Sequence, residues 1–254
     1  MGAIIIKGAL MKKKLIVYEE IMYIIATFTL AFGVAMTAAA DFGVSMVVAP
    51  AYILSLKIDF LTFGAGEYVI QGILFIAMCI ILKSVKLKYF FAFLSCLLYG
   101  LVLDLIRSVV PFLNPEIFAP GSFDLWIRIL LLVGGMIIIS FSLSIAFRVY
   151  LYPQVNDFFV KAVSKKFNKK ISTFKLFYDA TFLIISVSMT LILFGNFNGI
   201  GIGTVCMTVF NGWLIKFFSF ILGALFEYRP IFKKAKTYFD EDLMPITIDS
   251  QTKE

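Results

Sequence analysis

Two carboxylates sit in stretches of the chain that are otherwise apolar. Glu67 falls in GAGEYVIQGILFIAMCIIL (64–82) and Asp179 in TFKLFYDATFLIISVSMTLILFG (173–195), each next to a tyrosine, Tyr68 and Tyr178. A charge at membrane depth is costly, so it reads by default as a binder of cations or a carrier of protons. An acid near the start of a helix also complements the helix dipole, and that structural reading stands beside the functional one. Gln71, a polar residue in the same run, could hydrogen-bond a solute or a neighbouring helix, packing being the commoner role. Lys216, inside the apolar run 201–226, could snorkel to an interface or pair with Asp179. Asn211, with Asn196 and Asn198, could bind a solute or join helices. Asp41 and Ser45 flank a turn in AADFGVS and complete the candidate set. Asp104 with Arg107, and Asp124 with Arg128, read as local ion pairs at helix ends.

Other chemistry is poorly supplied. The chain has no histidine, and its three cysteines, Cys79, Cys96 and Cys206, lie in apolar runs. Zinc sites, histidine acid–base work and a disulfide framework are therefore not expected. The glycine-rich run 195–204 lacks the Lys-Ser/Thr of a phosphate loop. No constellation of catalytic groups converges, so the expectation is a protein that is not an enzyme and has no cofactor or metal.

The elements that must hold these residues follow from composition. The chain has 254 residues, 61% hydrophobic and 15% charged. Soluble domains carry about a quarter charged residues, which excludes a soluble enzyme, a nucleic-acid binder and a disordered chain. Six runs are long enough to cross a bilayer: Ile21–Ala40, Gly64–Leu82, Tyr89–Pro111, Leu125–Phe147, Thr173–Gly195 and Gly201–Phe226. With the N-terminus inside, 19 of the 23 basic residues fall in cytoplasmic segments, as the positive-inside rule requires. The start resembles a secretory signal, with Ala38 and Ala40 as an A-x-A. Glu19, Glu20 and the long apolar run favour a retained span. Met11, before three lysines, offers an alternative start.

Two apolar segments are too short to span. The segment 42–56 opens at Gly43 and contains Pro50; the segment 150–167 contains Pro153 and is basic and amphipathic. Either could be re-entrant or interfacial, and the second also reads as a helix lying on the inner leaflet. Sliding the chain by 111 residues sets Ala35 on Ala146, Val44 on Val155, Ala51 on Ala162 and Thr62-Phe63 on Thr173-Phe174. Each half then holds three spans and one irregular segment. An odd number of spans makes such a repeat inverted, an architecture that recurs among transporters with the solute site at the midplane. Gly201 and Gly203 open the last span, and with Gly43, Pro50 and Pro153 they are the expected structural turns. Ala31, Ala35 and Ala39 form a small-residue stripe suited to close helix approach.

The stretch from Ala31 to Ile76 resembles the N-terminal half of the YczE/YyaS/YitT-type bacterial membrane proteins. It has a small-residue first span, the turn Ala40-Asp41-Phe42-Gly43-Val44-Ser45 and the start Thr62-Phe63-Gly64. The late GIGIGTV (199–205) is similar to the opening of that group's last span. At the matching turn of the second half the chain departs, with Tyr152-Pro153-Gln154-Val155. The resemblance implies a bacterial inner-membrane protein with a suspected transport role and no assigned substrate. The alanine stripe is also similar to that of vitamin-uptake subunits of energy-coupling-factor transporters.

The sequence thus leads to an all-α polytopic protein of six spans in two inverted three-helix repeats. Its expected divisions are an N-terminal segment (1–18), repeat one (19–110), an outer loop (111–124), repeat two (125–226) and a cytoplasmic tail (227–254). It would sit in the bacterial cytoplasmic membrane with both termini inside. The expected function is a small-solute permease. The alternatives are a substrate-binding subunit of an ATP-driven uptake complex, or a non-transporting accessory or scaffold protein. Expected partners are lipid, an unknown solute and a second copy of the chain, with no nucleic acid.

Overall fold

Six helices in the computed structural model are long and apolar enough to cross a membrane. It describes residues 14–151, 154–168 and 171–240; the Pro153 turn, the first thirteen residues and the end of the tail lie outside them. In chain order the elements are β1 (Leu15–Tyr18), α1 (Glu19–Ala40), α2 (Ala49–Lys57), α3 (Phe63–Leu82), α4 (Leu87–Val109), α5 (Leu125–Ala146), α6 (Val155–Lys166), α7 (Ile171–Phe194), α8 (Ile202–Leu225), β2 (Phe226–Arg229) and α9 (Lys233–Asp240). All six expected spans are present. The protein is an all-α polytopic membrane protein, with one two-stranded ribbon added.

That ribbon was not foreseen. β1 and β2 pair in parallel, from Leu15 with Phe226 to Tyr18 with Arg229, so the segments before the first span and after the last meet at one end of the bundle, here called the near end. Glu19 and Glu20, read as interruptions of a signal sequence, reinforce the same junction. The buried Glu19 carboxylate accepts from the Tyr150 amide at 2.8 Å and from the Lys236 ammonium at 2.8 Å. Glu20 accepts from the Tyr150 hydroxyl and from the amides of Ile231 and Phe232, which precede α9.

The bundle is built around α1 and α5. Gly33 and Gly135 let the two backbones touch: a Cβ on Gly33 would lie 3.0 Å from the Gly135 carbonyl oxygen, and one on Gly135 would lie 2.8 Å from that of Gly33. Ala31 and Ala35 are fully buried beside them, so the alanine stripe is a packing surface. α4 packs on α1 and α8 on α5. Ser140, Ser142 and Ser144 of α5 add hydrogen bonds to the Asn211 side chain and to the carbonyls of Ala26 and Ile215.

The two short helices lie inside the bundle. α2 packs on both α3 and α7, and α6 packs on α7 and α3 in turn. Pro50 sits in the first turn of α2, where a missing amide is harmless. Val155, Phe158, Val160 and Val163 of α6 are buried, and the Lys166 ammonium reaches the Ile81 carbonyl at the near end of α3. The first residue of α6 meets Gln71, about 12 Å along α3 from Phe63 by helical rise. α6 therefore enters the bundle to roughly half the length of α3. This corrects the reading of a basic helix on the leaflet surface: its lysines follow the near end while its apolar face fills the core.

The 111-residue slide is also corrected. Glu19 and Leu125 start helices of equal length 106 residues apart, and the short helices start at Ala49 and Val155, also 106 apart; Phe63 and Ile171 are 108 apart, and Leu87 and Ile202 are 115 apart. None of these offsets is 111, so a single fixed shift does not superimpose the helix starts.

Charge divides between the two ends. Lys83, Lys86, Lys165, Lys166, Arg229 and Lys233 lie at the near end, whereas the far end holds Lys57, Arg107 and Arg128.

Candidate functional site

The site grows from one side of α3. Glu67 and Gln71 are one helical turn apart and both are at most 1% exposed. The Gln71 amide donates to Glu67 Oε2 at 2.8 Å and to Gln154 Oε1 at 3.0 Å, while its own carbonyl accepts from the Val155 amide at 3.1 Å. Gln71 thus caps α6 from a different helix, satisfying an amide that the first turn leaves open. The next residue, Asn156, accepts from the Tyr178 hydroxyl of α7 at 3.0 Å. A polar chain runs in this way from α3 through the start of α6 to α7, at mid-bundle.

Glu67 is incompletely paired within it. Its Oε1 is buried and has no hydrogen-bond partner. The nearby groups are the Cys96 thiol, which donates to the Glu67 carbonyl, and the buried Tyr99. The positive end of the α6 dipole lies one turn away, through Gln71, and favours a carboxylate there. Beside the chain is a cavity of roughly 30 Å³, lined among others by Tyr23, Ser95, Tyr99, Ser142, Gln154 and Asp157. That is room for about two water molecules among polar partners. On its other side, Tyr178 also walls an apolar groove of roughly 440 Å³ between α3 and α7, with Leu74, Phe159, Phe174 and Phe182.

The remaining candidates fall elsewhere. Tyr68 turns to α4, where its hydroxyl donates to the Leu97 carbonyl at 2.9 Å. Asp179 pairs with Lys175 at 3.7 Å, one turn back on α7, not with Lys216, which is exposed on α8. The helices that carry them make little contact with each other. Asp104 makes no close ion pair with Arg107, although its charge acts on it. It accepts from the Thr62 hydroxyl at 2.6 Å and the Gly64 amide at 2.8 Å, capping α3, while Arg107 lies over the Phe63 ring. Arg128 likewise leaves Asp124. It donates to the carbonyls of Ala40 and Asp41, pairs with the Asp41 carboxylate at 3.5 Å and covers the Phe42 ring. Partial burial raises the Asp41 carboxyl above its ordinary range, and Arg128 opposes that.

Asp41, Ser45 and the glycines belong to a far-end joint between the halves. Gly43 has a φ of 94°. The Gly203 amide donates to the Phe42 carbonyl at 2.7 Å, the Val44 amide to the Gly199 carbonyl at 3.1 Å, and the Thr204 hydroxyl to the Val44 carbonyl at 2.7 Å. The Ser45 carbonyl accepts from the Val48 and Ala49 amides and starts α2. Gly201 and Gly203 therefore open α8 by letting its backbone meet that of 42–44.

Sequence reasoning missed Gln154, Asn156 and Asp157. The signal was present: a polar triplet in QVND at the start of an amphipathic helix. Among the described residues no group of three or more His, Cys, Asp or Glu side chains is placed to hold a metal ion.

Residues 17–220 match a family model described as a family of unknown function, DUF6198. No curated protein and no solved structure matches the chain.

Proposed function

The chain belongs to the DUF6198 family, and from that starting point we propose that it is a small-solute permease of a bacterial cytoplasmic membrane. The observation that carries this reading is Glu67. A carboxylate buried at mid-bundle with one oxygen unpaired is not a stable way to build a passive scaffold, because an unpaired buried charge costs several kcal/mol. It is explained when that oxygen meets a proton or a cationic group during the working cycle. The site joins α3 of the first half to α6 and α7 of the second, so relative motion of the halves opens it.

The halves are read as an inverted repeat. Supporting this are the matching order of long, short, long and long helices and the reciprocal seating of α2 and α6 against α3 and α7. Short helices that start at mid-bundle place backbone dipoles around a solute site, as broken helices do in transporters. The basic near end is assigned to the cytoplasm, with both termini there. The YczE/YyaS/YitT-type resemblance supports the same location.

The test is flux. A thermal-shift screen against metabolites finds a solute, since a ligand stabilises the state that it binds. Purified protein in liposomes is then expected to exchange labelled solute against unlabelled without ATP. Exchange seen only after adding an ATP-hydrolysing partner would move the protein to a substrate-binding subunit. Binding with no exchange under either condition would end the permease reading.

A further inference from the structure

We propose that α9 is a gate, docked in this structure over the near-end approach to the Glu67 site. Three elements hold it. Phe239 is 6% exposed. Its ring meets Phe91 of α4 at a centroid distance of 5.1 Å and Tyr150, four residues past the end of α5, at 6.0 Å. The Lys236 ammonium donates to Glu19 Oε1, on α1, at 2.8 Å. Each of these anchors stands about one turn outside a wall of the polar cavity. Tyr23 is a turn inward from Glu19, Ser95 is a turn inward from Phe91, and Ala146 ends α5 just before Tyr150; all three line that cavity. Its wall continues along α1 to Leu30, about 16 Å from Glu19 by helical rise. It also reaches Gln154, whose side chain accepts from Gln71. The cavity therefore runs from just inside α9 to the depth of the Gln71–Gln154 contact.

The attachment is of a kind that can let go. α9 has eight residues, too few to be stable as a helix on its own. Ala235, Lys236 and Phe239, which hold it, share one face, while Lys233 and Lys234 are exposed. Glu19 is 1% exposed and its oxygens are divided: Oε2 takes the Tyr150 amide of the bundle, and Oε1 takes Lys236 of the gate. Removing Lys236 from a dry site would leave an uncompensated charge. When α9 lifts, however, Phe239 leaves the space beside Phe91 and Tyr150, and water that enters there hydrates the freed oxygen. Docked and lifted states each satisfy Glu19, as a two-state element requires. Glu20 supplies the fixed side of the hinge. It accepts from the Ile231 and Phe232 amides just ahead of α9, so the helix pivots beyond them.

The experiment uses the full chain with Cys79, Cys96 and Cys206 replaced and Gln154→Cys introduced, in vesicles of known orientation. A small impermeant thiol reagent is added to the near face. Lys236→Gln is expected to raise the near-face reaction rate roughly 10- to 100-fold, the factor carried by a hydrogen bond between charged groups, and to leave the far-face rate as it was. Lys236→Arg keeps the ion pair, and Lys233→Gln removes a charge from the exposed face of α9; both should react as the parent does. An unchanged near-face rate in Lys236→Gln would overturn the gate. So would an equal rise in Lys233→Gln, or a rise on both faces at once. Should Lys236→Gln not fold, spin labels at Thr237→Cys on α9 and Val85→Cys on the α3–α4 turn, both exposed, measure the separation in protein that keeps Gln154 and Lys236. Two distance populations are expected, and a single narrow one would overturn the gate. In purpose the gate rests on the permease reading, but its opening is measured without any solute. A gate that opens in protein showing no solute exchange would remove that reading alone; exchange with a near-face rate indifferent to Lys236 would remove the gate alone.

Discussion

Replacing Glu67 by Gln is expected to abolish coupled flux while leaving the protein folded. The substitution keeps size and shape, and the new carbonyl can still accept from Gln71, whose amide lies 2.8 Å from Oε2. It removes the charge and sets an amide nitrogen where the oxygen without a partner stood. A hydrogen bond to a charged group is worth about 1.5–3 kcal/mol, so binding of a cationic solute or a coupling proton should weaken by roughly 10- to 100-fold. Stability should stay close to that of the wild type, because the loss of an incompletely paired buried charge is offset by the cost of amide donors left without a partner. Unaltered flux and unaltered pH dependence in Glu67→Gln protein would take this residue out of the mechanism.

The second large effect is structural. Gly43→Val should prevent assembly of the two halves. A Cβ at this position would lie 2.4 Å from the Gly201 amide nitrogen and 2.5 Å from the Thr204 hydroxyl. The backbone there, at φ 94°, is one that a β-branched residue rarely adopts. Left-handed strain of about 1–2 kcal/mol and overpacking of about 1–3 kcal/mol fall on the same joint. Gly195→Ala is the comparison: its φ is 71°, but nothing lies within 4 Å of the added Cβ, so only the strain of about 1–2 kcal/mol applies. Thermal unfolding in detergent should show Gly43→Val far below wild type, with Gly195→Ala between them. Equal losses would mean that the 42–44 and 199–204 contact contributes little.

These two positions also mark how far sequence could lead. The spans were legible because twenty apolar residues in a row have few other uses; α3 and α5 start within a residue of where the hydropathy places them. The partners of the charges were not legible. Local spacing pairs Asp104 with Arg107 and Asp124 with Arg128 at helical distance. The fold instead sends Asp104 back to Thr62 and Gly64, and Arg128 back to Asp41. A helix end deprived of amide partners competes better for a carboxylate than a neighbour that can reach solvent. The β1–β2 ribbon was hidden for a related reason. Four-residue strands carry no period, and their pairing joins residues about 210 positions apart.

The site was half visible. Glu67, Gln71 and Tyr178 stood out as polar groups in apolar runs, and the structure brings them to one junction. The other half of that junction, Gln154 and Asn156, sits in a segment whose lysines and aspartate make it look like a surface helix. Amphipathicity says that a helix has two faces, but not whether its polar side meets water, headgroups or a buried carboxylate.

The central claim is that this junction lies at mid-membrane and is reached in turn from both sides. The most direct test is Gln154→Cys in protein whose Cys79, Cys96 and Cys206 have been replaced, reconstituted in vesicles of known orientation. A small membrane-impermeant thiol reagent is added to one face at a time. The account predicts modification from either face, slower than at Lys166→Cys on the near end, with solute shifting the balance between the two. Reaction from one face only, at the rate of Lys166→Cys, or no reaction from either face would contradict it.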